Sequence, residues 1–178
     1  MWTVLLLVTG ALVGRTLADC PHPNGTDTAP HWWNCGGAAY SLQLTHLTIV
    51  DDQGNPAYPF NPSKPIVVHE SSQNAGGEVK TVRVDVDLWH YGSLLGACKW
   101  QVVPTLGLLH NLDGCAIAHN CPLEPGSVGF DQTIDLTPYQ AILHSLGNNQ
   151  VYQLRIVTKD GSSGAAIGCV FIQGLLKF

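Results

Sequence analysis

Six cysteines and eight histidines are the residues of this 178-residue chain whose chemistry is most versatile. Thiolates and imidazoles at close spacing hold zinc, but neither CxxC nor HExxH occurs, so no metal site is expected. Nucleophilic catalysis is no better served. The nucleophile elbow Gly-x-Ser-x-Gly is absent, and Gly126-Ser127-Val128-Gly129 has the wrong spacing for one. Asp85 and Asp87 share one strand face, yet they alternate with valines and read as solvated carboxylates. No catalytic residue and no cofactor is expected, and the chain does not read as an enzyme. The cysteines are left with oxidation as their chemistry, and six of them allow fifteen pairings.

Oxidation needs an exported chain, and the first residues point that way. Val4 to Val13 is apolar but shorter than the roughly 20 residues a bilayer span requires. Small residues follow at Thr16 and Ala18, ahead of Asp19, so residues 1–18 read as a secretory signal peptide. The expected destination is secretion, with a lysosomal address as a further option. Loss of Arg15 with the signal would take the formal charge from −5 to −6. No basic stripe or Lys/Arg run exists, which argues against a nucleic-acid partner. Residues 19–33 read as an N-terminal extension carrying the glycosylation sequon Asn24-Gly25-Thr26. Asn61-Pro62-Ser63 is excluded as a second sequon by its proline.

The remainder, residues 34–178, has β patterning and reads as one domain. Val82, Val84, Val86 and Leu88 alternate with Thr81, Arg83, Asp85 and Asp87, the period of a half-buried strand. Tyr152, Leu154 and Ile156 interleave with Gln153 and Arg155 in the same way. Further strands are expected at Tyr40–Val50, Ile66–Glu70, Ala97–Val103, Val128–Leu136 and Ala165–Gln173. Turn clusters such as Asp51-Asp52-Gln53-Gly54-Asn55-Pro56 and Lys159-Asp160-Gly161-Ser162-Ser163-Gly164 separate them. Only Pro138–Leu146 suggests a short helix. Around seven strands of this kind predict an all-β fold, an immunoglobulin-like antiparallel sandwich.

Several ordered motifs resemble the ML lipid-recognition domain family. Asp113-Gly114-Cys115 leads into a short loop ending at Cys121-Pro122, and Cys35 and Cys169 frame the domain. Tyr58-Pro59-Phe60-Asn61-Pro62-Ser63-Lys64-Pro65 resembles the proline-bearing approach to an early strand. Tyr152 to Val157 and Gly168-Cys169-Val170-Phe171-Ile172 resemble the family's final strand pair. The resemblance spans residues 34–173 and implies disulfides Cys35–Cys169 and Cys115–Cys121. Cys20 and Cys98 are then left either as free thiols or as a third bond tying the extension to a strand. It implies a lipid pocket between two splayed sheets, for a sterol, fatty acid or glycolipid. The apolar loop Val103-Pro104-Thr105-Leu106-Gly107-Leu108-Leu109 is similar to the loop bordering that pocket. Val103, Leu106, Leu108 and Leu109 are thus expected to contact lipid, with Leu136 and Tyr139 on the far wall.

The resemblance therefore implies a lipid-binding and transfer protein making transient membrane contact. An accessory protein that presents lipid to a receptor or hydrolase would share the same fold and differ in its surface partners.

Overall fold

A computed structural model of the protein describes residues 20–135, 137, 144 and 147–178. The segment 1–18, Leu136, Tyr139 and most of the expected helix at Pro138–Leu146 lie outside the described residues.

Among the described residues the chain forms nine strands: β1 (His31–Asn34), β2 (Leu42–Val50), β3 (Ile66–Asn74), β4 (Val82–Leu94), β5 (Ala97–Val102), β6 (Leu112–Asp113), β7 (Gly126–Ile134), β8 (Gln150–Asp160) and β9 (Ala166–Leu176). The seven expected strands are present, and β3 and β4 run well past their expected ends. The two additions are short. One of them, β1, comes from the expected extension and pairs antiparallel with β9 from His31↔Gln173 to Asn34↔Val170. A five-residue helix, α1 (Gly114–Ala118), follows β6; the Asp113 carboxylate accepts from the Ala116 N–H at 3.1 Å and caps it.

The strands follow the order β5-β4-β8-β9-β2-β3-β7. Every neighbouring pair is an antiparallel ladder except β9–β2, which meets at the single parallel bridge Leu42↔Gly168. There the ribbon folds over, so that β2, β3 and β7 face β9, β8 and β4 as a sandwich. Apolar clusters cross the gap: Val82 and Val84 of β4 pack with Val128 and Phe130 of β7, and Leu44 and Leu47 of β2 pack with Val170 and Ile172 of β9. Trp32 enters the second cluster from β1.

Three disulfides, Cys20–Cys98, Cys35–Cys169 and Cys115–Cys121, use all six cysteines. The first holds the N-terminal segment against the outer face of the larger sheet. There Thr26 and Gln173 are both buried. Asn24 Nδ2 donates to Gln173 Oε1 at 2.8 Å, and Gln173 Nε2 donates to Gln153 Oε1 at 2.7 Å. The Tyr58 hydroxyl donates to the Thr26 carbonyl and accepts from the Leu175 N–H. Buried amides and hydroxyls are thus mutually satisfied, as an outer face covered by chain requires.

The lower end of the sandwich is closed by the loop between β2 and β3. Phe60 donates its N–H to the Leu175 carbonyl and packs with Tyr152 and Leu176. Its ring occupies the space where a side chain on Gly174 would stand; a Cβ there would lie 2.2 Å from Phe60 Cε2. Gly174→Ala is therefore expected to destabilise the protein by about 1–3 kcal/mol, the usual cost of overpacking. Chemical denaturation checks this, and Phe60→Leu in the same chain should recover part of the loss.

Candidate functional site: the interior between the sheets

In a closed sandwich the inward side chains of both sheets interdigitate and are buried. Here they are buried at the two ends and along the β2–β9 margin, where Leu44, Leu47 and Val68 are sealed. At the α1 end Val82, Val79, Leu42 and Leu123 are sealed, and at the other end Phe60, Tyr152 and Leu176 are sealed. Between them, Val84, Val86 and Leu88 of β4 and Leu154 and Ile156 of β8 share the inner face yet stay only half-buried. Opposite, Phe130 and Ile134 of β7 are half-buried too. A middle stretch of apolar surface is therefore left incompletely covered by protein.

Three titratable side chains join that lining within the strands. Glu70 lies between the buried residues Val68 and Ser72 on β3, so strand alternation points it inward beside its register partner Phe130. Its carboxyl makes no hydrogen bond or ion pair among the described residues, and burial raises it above the ordinary carboxylate range. On the facing sheet His90 and Tyr152 are direct cross-strand partners. His90 Nδ1 and the Tyr152 hydroxyl are buried without a hydrogen-bond partner. Burial pushes the Tyr152 phenol up to about 12, so it keeps its proton. Among the described residues no lysine or arginine offsets these groups from within. Arg83, Arg155 and Lys159 lie on the outer face, and Lys64, Lys80, Lys99 and Lys177 are exposed.

The leucine loop is strung along the edge of β4 between its pairings with β6 and β5, at the level of the half-buried middle. The Val103 N–H donates to the Leu88 carbonyl at 2.8 Å, and the Val86 N–H donates to the Leu109 carbonyl at 2.7 Å. Between these anchors the chain bows outward through a turn closed by Leu108 N–H to the Thr105 carbonyl. Val103 and Leu109 are half-buried, whereas Leu106 is 90% and Leu108 76% exposed. Val102, Leu94 and Leu95 add further exposed apolar side chains on β5 and the β4–β5 hairpin. The loop residues thus divide into an anchored pair and a solvent-facing pair.

The outer face of β4 does different work. Asp85 and Asp87, expected as solvated carboxylates, are engaged in ion pairs. Arg155 grips Asp87 through Nε at 2.9 Å and Nη2 at 2.7 Å. Asp85 pairs with Lys159 and accepts from the Asn111 N–H, and the ammonium and that N–H hold its carboxyl below the usual range. His110 stands 3.6 Å from Asp87. These bonds brace the β4–β8 ladder and anchor the end of the leucine loop.

A polar surface cleft of about 210 Å³ lies away from the interior, between the β2–β3 loop and the start of β3. Asp51, Tyr58, Asn61, Lys64 and Ile66 are among its lining residues. Asp51 is occupied there by the turn, accepting from the Gln53 and Asn55 N–H groups. The cleft carries no cluster of convergent titratable groups.

Glu70 yields a stability prediction. A carboxyl raised above its ordinary 4.5 binds a proton more tightly in the folded chain than in the unfolded one. Stability then falls as pH climbs from that ordinary value through the folded value, and the deficit persists at neutral pH. Glu70→Gln is expected to melt above wild type at pH 7 and level with it below pH 4. Thermal melts of both proteins across this range give the test.

The sequence matches no family model. No curated protein matches it either. Among solved structures, the fold is similar to a Niemann-Pick type C2 protein from the Japanese carpenter ant, at 13% identity and a TM-score of 0.49, over 83% of this chain and 99% of that one. It is also similar to chicken MD-1 complexed with lipid IVa, at 11% identity and a TM-score of 0.35, over 82% of this chain and 96% of that one.

Proposed function

We propose that this chain is a secreted or endolysosomal lipid carrier that holds a sterol or acyl-chain lipid between its two sheets and exchanges it at membranes. The observation that supports this most is the half-buried run Val84, Val86, Leu88, Leu154 and Ile156, sandwiched between sheets but not covered by them. Apolar surface in that state gains about 25 cal/mol for each Å² that a ligand removes from water. A ligand burying ~300 Å² would gain several kcal/mol from this alone. Chemistry on the ligand is not part of the proposal: the paired carboxylates serve a ladder, and no nucleophile stands beside a base at the site.

In this reading the exposed side chains Leu106 and Leu108 serve as the membrane-contacting lip of the leucine loop. Val103 and Leu109, fixed to β4 by backbone bonds, form the side of the entrance. Disulfides holding the N-terminal segment and both sheets agree with an oxidising compartment, and Asn24 is proposed as a glycosylated position. The same exposed apolar lip also suits an accessory protein that docks on a receptor or hydrolase; a stable protein complex would distinguish that role.

Two substitutions separate carrying from delivery. Ile156→Trp is expected to occupy the middle of the interior and weaken binding of a fluorescent sterol at least tenfold, while a cooperative thermal melt shows that the protein still folds. Unchanged binding would place the ligand elsewhere. Leu106→Asp with Leu108→Asp is expected to change stability by no more than about 0.5 kcal/mol, as exposed positions do. Binding in solution should persist while transfer between vesicles slows.

A further inference from the structure

Among the described residues the interior holds one carboxylic acid, Glu70, and no lysine or arginine. Glu70 faces inward from β3, between Val68 and Ser72, and no described residue pairs with it. Every described lysine and arginine is exposed or on an outer face, so no described residue supplies an ammonium or guanidinium to neutralise a charge inside. Natural proteins rarely keep a desolvated carboxyl without a partner, because it costs stability in the ionised form. Retained inside a largely apolar lining, such a group is a recognition element for whatever enters.

Resting on the carrier reading above, we infer that Glu70 is the specificity-determining residue of the interior, admitting amphiphiles with a hydrogen-bond-donating, non-anionic head group and rejecting carboxylate-bearing ones. A hydroxyl can donate to the carboxylate, and an ammonium can pair with it; either fills the acceptor positions that no protein group satisfies. An anionic head group instead places a second negative charge in the same poorly solvated space. At a separation near 10 Å and a protein-like effective dielectric, that repulsion is worth about one order of magnitude in affinity. His90 and Tyr152, on the facing sheet, are the other inward titratable groups within the strands.

The test displaces a neutral environment-sensitive dye, N-phenyl-1-naphthylamine, from the folded protein at pH 7 with three probes of equal chain length: 1-dodecanol, dodecylamine and sodium dodecanoate. Wild type should take dodecanol and dodecylamine at about tenfold lower concentration than dodecanoate. Glu70→Gln preserves shape and removes a destabilising charge, so it folds, and it should bring dodecanoate level with dodecanol. The relative strength of dodecanol and dodecylamine then tells a hydroxyl source from an ammonium source. Dodecanoate equal to the other two in wild type, or a gap that survives Glu70→Gln, overturns the inference and leaves the carrier reading standing. Failure of all three probes to displace the dye overturns the carrier reading itself.

Discussion

The architecture depends on a one-sided closure. Within a few residues, β1 pairs with β9, Cys35 bonds to Cys169, the Cys35 N–H donates to the Cys169 carbonyl at 2.9 Å, and Leu42 bridges to Gly168. The bridge between β2 and β9 that joins the two sheets lies at this margin. The opposite margin, where β4 faces β7, is spanned at one end by α1. There Gly114 lies against Val82 and Val84, and Asn120 Nδ2 donates to the Gly129 carbonyl at 3.1 Å. A Cβ on Gly114 would lie 2.6 Å from Val82 Cγ1, so the helix reaches β4 because that position is glycine. Sheets joined along one margin and propped at one end of the other need not collapse in the middle.

That geometry explains how the same inner face of β4 reads as core at Val82 and as lining at Val86. The side chains are of one kind; what differs is the presence of a partner across the gap. It also assigns distinct roles to the outer-face charges. Arg155 on Asp87 and Lys159 on Asp85 stiffen the pair of long strands that forms one wall. The extension fixed by Cys20–Cys98 covers the back of that wall with satisfied hydrogen bonds. Rigidity on the outside and incomplete packing on the inside are compatible, because each face of a strand is solved separately.

Much of this was legible in the residues. Period-two alternation identified β4 and β8, because each strand carries its burial pattern locally, and a turn cluster marked the end of β8, whereas β4 runs on from Leu88 to Leu94. β1 was not legible: His31-Trp32-Trp33-Asn34 is too short to show a period, and its strand character comes from the ladder with β9. Helix α1 was hidden for a related reason, its single turn being defined by the Asp113 cap and the Cys115–Cys121 bond. Glu70 was missed as a site residue because a carboxylate closing the apolar run Ile66-Val67-Val68 reads as a strand end. In the structure β3 continues to Asn74, whose amide binds the Gly77 and Glu124 carbonyls, and the continuation turns Glu70 into an inward position. Polar inward residues satisfied by loops distant in sequence are invisible to local pattern. The leucine loop was found through its composition, whereas its anchoring on Val86 and Leu88 is a tertiary fact.

The central claim is that the interior between the sheets, which the described residues cover incompletely, takes up a lipid. Native mass spectrometry of the disulfide-bonded protein after equilibration with mixed lipid vesicles tests it most directly. The account expects a one-to-one complex whose added mass belongs to a single lipid class, released when the chain is denatured. A protein that stays at its bare mass, or that picks up lipids of all classes in unspecific numbers, would contradict it.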